Sequence, residues 1–200
     1  MPTEDRATPV YGLVLAGGRS RRMGRDKAAL ERGGQSQLEY VFGLLAGVAD
    51  EAYVSARAGQ QDDPVRRGFP QIVDRYEDLG PVAGILTALE TRPGVDWLVV
   101  ACDLPNIDRS TLAYLLANRS ADKPFTAFRS SYDGLPEPLC AIYRAGSETL
   151  IRQFVADGIH CPRKMLIRSD TALLEQPDPH ALDNVNTPED LAGSVLEGAP

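Results

Sequence analysis

The sequence is organised around residues 15–27, which read Leu15-Ala16-Gly17-Gly18-Arg19-Ser20-Arg21-Arg22-Met23-Gly24-Arg25-Asp26-Lys27. A short apolar run, Val10–Leu15, leads into this stretch and is typical of a buried strand. Five cationic side chains then follow the glycine pair within nine residues. Glycine accepts positive φ and lets an anion approach the backbone, so N–H groups at this strand end can face phosphate oxygens. The stretch therefore predicts a strand that leads into an anion-binding loop.

Two interpretations of the cationic loop stay open on the residues alone. Gly18 and Gly24 are one residue too far apart for the Walker phosphate loop, and Lys27 does not follow Gly24 directly. The dinucleotide pattern G-x-G-x-x-G is also absent. A run of like charge is typical of a solvated basic loop, whereas a glycine pair at the end of the first strand favours a polyphosphate site.

The composition restricts the class of protein. The chain has 200 residues, of which 43% are hydrophobic and 24% charged, as expected for one globular domain. A formal net charge of -7 argues against a nucleic-acid partner. We expect a cytoplasmic protein with no membrane partner, because no apolar run approaches the roughly 18 residues of a membrane span and residues 1–9 lack the apolar core of a signal peptide. Three separated cysteines are expected to be buried thiols: Cys102, Cys140 and Cys161.

Strand-like and helix-like patterns alternate along the chain, with no internal repeat and no linker composition. This order predicts an α/β fold, a single-domain Rossmann-like three-layer sandwich with a mainly parallel sheet. Asp74 closes a predicted strand at 71–74, and Asp103 follows the most apolar run, 97–102. Ligands of such sheets lie beyond the carboxyl ends of the strands. We therefore expect the glycine pair, Asp74 and Asp103 at one edge of the sheet.

Several further elements follow from periodicity and capping residues. The segment at 59–68 is predicted to be a polar loop with little to bury. The predicted helices are residues 36–47, a helix opened by Leu79-Gly80-Pro81, one capped by Asp108, one around Leu150 to Val155, a short one at 161–167 and a last one begun by Thr187-Pro188. The later predicted strands are residues 125–128, 139–143 and 172–174.

Asp103 has two possible roles. As a structural residue it would form a turn with Pro105, which is the commoner role of an aspartate after a strand. As a functional residue it would hold a divalent cation, because a polyphosphate site commonly takes Mg²⁺ on one or two carboxylates together with substrate oxygens. The neighbouring cationic loop favours the second role without excluding the first.

Taken together, these motifs resemble the molybdenum cofactor guanylyltransferases of the nucleotidyltransferase superfamily. The matches run in order from residue 15 to residue 191. They are Leu15-Ala16-Gly17-Gly18-x-Ser20-x-Arg22-Met23-Gly24-x-Asp26-Lys27, then Asp74, Gly80-Pro81-x-x-Gly84, Cys102-Asp103-x-Pro105 and Asn184-x-Asn186-Thr187-Pro188-Glu189-Asp190-Leu191. The glycine pair and the Asn184 ending narrow the resemblance to the guanylyl branch. It implies a nucleotide-binding half over about 10–110 and an acceptor-binding half over about 111–197.

The resemblance also implies a role for individual residues. Arg22 and Lys27 would contact the triphosphate, and Asp103 would ligate Mg²⁺, so these three form the implied catalytic set. Asp74 would bind the guanosine portion. The remaining implied binding residues are Leu15, Ala16 and Gly17 on the guanine and ribose side, Gly18 beside them, Ser55 near a position that is often Asn in the family, and Asn184 and Asn186 near the pterin or its phosphate.

The implied reaction is transfer of GMP from GTP to molybdopterin, with Mg²⁺ as cofactor and pyrophosphate as product. The acceptor phosphate is already ionised at neutral pH, so the absence of a Ser-His-Asp or Cys-His arrangement is no objection. The implied protein partners insert molybdenum or escort a target molybdoenzyme. Three alternatives remain: a molybdopterin cytidylyltransferase, a sugar-phosphate nucleotidyltransferase, and a module that binds a nucleotide without turnover.

Overall fold

Strands and helices alternate in the computed structural model, which describes residues 8–18, 26–185, 190 and 194–196. Its strands are β1 (Val10–Leu15), β2 (Glu31–Arg32), β3 (Gln35–Ser36), β4 (Glu51–Ala56), β5 (Gln71–Val73), β6 (Asp96–Ala101), β7 (Phe125–Arg129), β8 (Pro136–Tyr143) and β9 (Thr171–Leu174). Its α-helices are α1 (Gln37–Ala46), α2 (Pro81–Thr91), α3 (Arg109–Ala117), α4 (Glu148–Ala156) and α5 (Pro162–Ile167). A 3₁₀ turn covers Lys27–Ala29.

Seven strands form one sheet in the order β5-β4-β1-β6-β8-β7-β9, while β2 and β3 form a separate small hairpin. The strand β8 runs antiparallel to β6 and β7, and the other pairings in the large sheet are parallel. The predicted mainly parallel α/β fold is therefore confirmed. The chain moves outward from β1 to β4 and β5 and then returns to β6 on the other side of β1. The carboxyl ends of β1 and β6 thus flank a topological switch point, where such sheets bind ligands.

Two apolar layers cover the faces of the sheet and make the fold a three-layer sandwich. Leu13 and Val99 face the layer formed by α2, α4 and α5. Val14 and Val100 face the opposite layer, formed by α1 and α3. Successive strand residues point to opposite faces, so both faces of β1 and β6 are apolar. All six residues of β6 are buried, as expected for a central strand.

The capping residues act as the sequence predicts. Ser36 accepts a hydrogen bond from the Glu39 N–H at 3.1 Å, and the Glu39 carboxylate accepts one from the Ser36 N–H at 2.6 Å, which forms a capping box at the start of α1. Asp108 caps α3 through the Thr111 N–H at 2.8 Å. Pro81 occupies the first turn of α2. The predicted helix that begins at Thr187-Pro188 lies outside the described residues.

Two local predictions are wrong. The loop at 59–68 buries a whole side chain, because Arg66 has no exposed surface. The thiol of Cys161 is exposed, since this residue precedes α5 at the surface, whereas Cys102 and Cys140 are buried as predicted. None of the helices in the described ranges has the length and apolar character of a membrane span.

Candidate active site

The predicted site residues meet at the carboxyl edge of the sheet. Ala16, Gly17 and Gly18 directly follow β1, Asp103 lies two residues after β6, and Asp74 directly follows β5. The structure therefore brings the glycine pair and both carboxylates to one edge, as expected from the parallel strands. Arg22 and Asn186 lie outside the described residues.

Gly17 is required for close approach rather than for an unusual backbone conformation. A Cβ on Gly17 would lie 3.2 Å from the Arg57 Cγ and 3.6 Å from the Asp74 Oδ2, whereas a Cβ on Gly18 would meet nothing within 4 Å. Neither Gly17 nor Gly18 belongs to the positive-φ glycines of the described chain. The missing side chain at Gly17 instead leaves backbone accessible beside Asp74.

Asp74 is a half-buried carboxylate whose partner is a hydroxyl. Ser55, the last residue but one of β4, donates a hydrogen bond to the Asp74 Oδ1 at 2.8 Å. Burial raises the pKa of Asp74, while the Ser55 hydrogen bond and the charge of Arg57 act in the lowering direction. Gly84 of α2 packs directly on this pair, because a Cβ there would lie 2.3 Å from the Ser55 Oγ. The result is a shielded hydrogen-bond acceptor beside Gly17.

Lys27 and Asp103 form an ion pair after β6. The Lys27 Nζ lies 3.1 Å from the Asp103 Oδ2, and the two side chains keep 15% and 23% of their surface exposed. Lys27 begins the 3₁₀ turn that Asp26 caps by accepting the Ala28 N–H at 3.0 Å. A cation and an anion are therefore held within reach of the same small volume, partly open to solvent.

Side chains from α1 and the hairpin before it fix the segment that follows Asp103. The Gln37 Nε2 donates to the Leu104 carbonyl at 3.2 Å, and the Tyr40 hydroxyl donates to the Ile107 carbonyl at 2.9 Å. Arg32 donates to the Pro105 carbonyl. These bonds hold the backbone after Asp103 rigidly beside the segment that carries Lys27.

The segment of Asn184 docks against Asp103. The Val185 N–H donates to the Asp103 carbonyl at 3.0 Å, and Val185 packs with Leu30 and Leu196 in a small apolar cluster. Asn184, the residue before this bond, is exposed. The structure thus brings Asn184 to the Asp103 side of the edge, although the two are 81 positions apart in the sequence.

The described residues offer neither an enclosed metal centre nor a thiolate nucleophile beside Asp103. They contain no cluster of three or more His, Cys, Asp or Glu residues that could enclose a metal ion. Asp103 offers one partly exposed carboxylate, which fits a magnesium ion that takes one or two carboxylates and completes its shell with water and substrate phosphates. Burial raises the pKa of Cys102 to about 12, so the thiol beside Asp103 stays protonated.

Sequence reasoning missed Arg66, which lies in the loop between β4 and β5. The Arg66 Nη2 donates to the Ala16 carbonyl at 2.7 Å and to the Asp26 Oδ1 at 3.0 Å. Arg67 beside it is exposed and has the same residue type, so no pattern in the sequence distinguishes the two.

The chain matches a protein family model and several known relatives. A family model described as a MobA-like NTP transferase domain matches residues 12–172. The chain is 40% identical over 183 residues to a molybdenum cofactor biosynthesis bifunctional protein from Synechocystis sp., covering 92% of this chain and 53% of that relative. It is 33% identical over 201 residues to a protein named "Probable molybdenum cofactor guanylyltransferase" from Mycobacterium ulcerans, covering 98% of each.

A solved structure shares the fold. It is the molybdopterin-guanine dinucleotide biosynthesis protein A from Archaeoglobus fulgidus, which superposes with a TM-score of 0.76 at 23% identity and covers 92% of this chain and 95% of that one. The family model spans most of the described sheet, from β1 to β9, and includes Gly17, Asp74 and Asp103. The chain belongs to the family of proteins that have a MobA-like NTP transferase domain.

Proposed function

We propose that this protein transfers GMP from GTP to the terminal phosphate of molybdopterin and releases pyrophosphate. Membership of a nucleotidyltransferase family and the names of the full-length relatives support the reaction class and the substrates. The single observation that carries the proposal is the arrangement at the β1/β6 switch point. There an acceptor carboxylate, Asp74, lies beside Gly17, and Lys27 and Asp103 form an ion pair after β6.

Asp74 and the Lys27–Asp103 pair suit the two chemical parts of a nucleoside triphosphate. Asp74 and the backbone beside Gly17 offer hydrogen-bond acceptors and a close approach, which a guanosine can use through its N–H and hydroxyl groups. Lys27 offers a cation to the phosphates. Arg22, one of the four arginines that follow the glycine pair, is proposed to add a second. Leu15, Ala16, Gly18 and Ser55 are proposed to complete the nucleoside side.

The reaction requires positioning and charge neutralisation rather than a general base. An oxygen of the acceptor phosphate forms a bond to the α-phosphorus of GTP. The bond from that phosphorus to the oxygen bridging to the β-phosphate breaks, and pyrophosphate leaves with that oxygen. Both reactants are anions, so Lys27 and Arg22 lower the barrier by balancing charge that shifts onto the leaving group.

Asp103 is the residue proposed to hold Mg²⁺, whose chemistry there is to neutralise phosphate oxygens and align the two anions. In the ligand-free protein Lys27 balances the charge of this carboxylate. When the triphosphate binds, Lys27 is proposed to contact a phosphate oxygen, because its side chain is partly exposed. Asp103 would then be the residue that holds the metal ion.

The acceptor is proposed to bind on the Asn184 side, over about 111–197, with Asn184 and Asn186 near the pterin or its phosphate, and the nucleotide over about 10–110. We also propose a cytoplasmic location and, as protein partners, a protein that inserts molybdenum or escorts a target molybdoenzyme.

The test is a pyrophosphate-release assay with GTP, CTP and ATP side by side, with molybdopterin present and absent. The proposal expects Mg²⁺-dependent release with GTP only when molybdopterin is present. Preferential release with CTP would make the protein a cytidylyltransferase instead. Release with a sugar phosphate but not with molybdopterin would identify a different acceptor. Tight GTP binding with no release under any acceptor would identify a binding module.

A further inference from the structure

Arg66 contacts both ends of the segment that carries the glycine pair and the arginines. Its Nε and Nη2 donate to the Ala16 carbonyl at 3.1 and 2.7 Å. Its Nη2 also donates to the Asp26 Oδ1 at 3.0 Å, and its Nη1 lies 2.7 Å from the Asp26 Oδ2. Ala16 and Asp26 flank residues 17–25. One fully buried guanidinium therefore links the residue that enters this segment to the residue that leaves it.

The electrostatics keep this guanidinium charged and in place. Burial by itself acts to lower the pKa of Arg66, but the hydrogen bond and charge of Asp26 and the charge of Asp63 outweigh it, so the pKa is raised. The Asp63 Oδ1 lies 3.4 Å from the Arg66 Nη1 and also accepts the Val65 N–H at 2.8 Å. A buried charge is tolerated when it is paired in this way.

The side chain at position 66 must be a planar group with several N–H donors. The guanidinium has five N–H donors in a fixed plane, which lets it bond a carbonyl and a carboxylate on different chain segments at once. A lysine ammonium is a point charge on a flexible stem and cannot bridge two such acceptors with the same geometry. Replacement of Arg66 by Lys is therefore not conservative here.

Asp26 transmits this anchor to Lys27. The same Oδ1 that accepts from Arg66 also accepts the Ala28 N–H at 3.0 Å and so begins the 3₁₀ turn. Lys27 is the first residue of that turn, and its Nζ lies 3.1 Å from the Asp103 Oδ2. Arg66, Asp26 and Lys27 thus form one connected path from the loop between β4 and β5 to the Asp103 carboxylate.

We propose that Arg66 is a positioning residue of the nucleotide site, which holds Ala16 and Asp26 together and orients Lys27 through Asp26. Arg66 does not touch the reacting atoms. Its effect on turnover rests on the proposed function, whereas its effect on the backbone after Asp26 does not. The two effects are measured separately.

The kinetic test compares Arg66→Gln and Arg66→Lys with the matched variant Arg67→Gln, whose side chain is exposed. Without the anchor, Asp26 is no longer held against Ala16 and Lys27 is misplaced, so we expect Arg66→Gln to raise the KM for GTP about tenfold or more, with Arg66→Lys between it and the wild type. Arg67→Gln should change neither KM nor kcat by more than about twofold. A fall in kcat with an unchanged KM would overturn the proposal, because loss of folded protein alone gives that result.

The second test does not require turnover. It can also be carried out if Arg66→Gln does not fold, because it uses a different variant. Asp26→Asn keeps the bonds from Arg66 to Ala16 but weakens the link to Lys27. In hydrogen exchange of the ligand-free full chain, we expect faster exchange at Ala28, Ala29 and Leu30 in this variant, with β1 and β6 unchanged. Unchanged exchange there would overturn the proposal. If wild-type protein releases no pyrophosphate from GTP, the proposed function fails, and this exchange result still decides the anchoring role.

Discussion

Asp74 and Asp103 lie at one edge of the same sheet but differ in what balances their charge. Asp74 is half-buried, its partner is the Ser55 hydroxyl, and burial raises its pKa. Asp103 is paired with the ammonium of Lys27 at 3.1 Å. A carboxylate with a neutral partner suits the neutral hydrogen-bond donors of a nucleoside. A partly exposed carboxylate beside an ammonium is the residue that would hold a metal ion next to the phosphates. The comparison predicts that loss of Asp103 impairs chemistry and loss of Asp74 impairs binding.

The largest expected effect is that of Asp103→Asn on turnover. Loss of this carboxylate removes the residue proposed to hold Mg²⁺, so we expect kcat for pyrophosphate release to fall by about 10²–10³-fold. The free energy of unfolding should change by less than about 1 kcal/mol, because the pair with Lys27 is partly solvated. Steady-state kinetics and urea unfolding measure the two quantities.

The matched control for Asp103 is Asp122→Asn, since Asp122 is an exposed aspartate that precedes β7 at the opposite edge of the sheet. It should leave kcat unchanged. If Asp103→Asn retained more than about a third of wild-type turnover with its Mg²⁺ dependence intact, the assignment of Asp103 would be wrong, because one missing charge-stabilising ligand costs far more than that.

Asp74→Asn should act on nucleotide affinity. Hydrogen bonds to a charged acceptor contribute about 1.5–3 kcal/mol, so we expect the Kd for GTP to rise about thirtyfold while kcat at saturation changes much less. Isothermal titration with GTP and Mg²⁺ measures the affinity. An equal fall in kcat for Asp74→Asn and Asp103→Asn would mean that the two carboxylates do not differ in their roles.

The same substitution should not destabilise the fold at neutral pH. A carboxyl whose folded pKa lies above its unfolded pKa stabilises the fold below the unfolded value, and this contribution is lost as the pH rises through the folded value. Ionised Asp74 therefore opposes folding at pH 7, and an uncharged Asn removes that cost. Urea unfolding at pH 7 should show equal or higher stability. GTP affinity should fall with acid in the wild type, in a window above the ordinary range of an aspartate, but not in Asp74→Asn.

The fold and the two carboxylates could be predicted because their signals are local. Apolar runs and capping residues mark the elements, and parallel strands bring Asp74 and Asp103 to one edge. Arg66 could not be predicted, since only packing across the fold distinguishes it from Arg67. The close contact of Arg57 with Gly17 could not be predicted either, because Arg57 approaches from the end of another strand. Contacts between distant segments leave no periodic trace in a sequence.

Gly84→Ala should disturb the Asp74 side through packing. A methyl group there would lie 2.3 Å from the Ser55 Oγ and 3.0 Å from the Leu15 Cδ2, so we expect a loss of about 1–3 kcal/mol in the free energy of unfolding. The control is Gly43→Ala in α1, where a Cβ meets nothing within 4 Å and alanine should stabilise the helix by about 0.5–1 kcal/mol. Equal effects of the two substitutions in thermal unfolding would refute tight packing at Gly84.

Ser55→Ala is expected to have the smallest effect on GTP affinity. It tests how the Ser55 hydroxyl affects the pKa of Asp74. Removal of the hydroxyl takes away a hydrogen bond that favours ionised Asp74, so the pKa of Asp74 should rise further and acid should weaken GTP binding at a higher pH. At a pH above that window, the Kd should rise only about threefold.

The double variant of Ser55→Ala with Gly84→Ala tests the same contact independently. Because Ser55→Ala removes the oxygen that the new methyl group would meet, the double variant should be more stable than the sum of the single effects predicts. Additive effects in urea unfolding would mean that Gly84 does not act on the Ser55 hydroxyl. Both contacts lie beside Asp74, so neither substitution should alter the Mg²⁺ dependence of turnover.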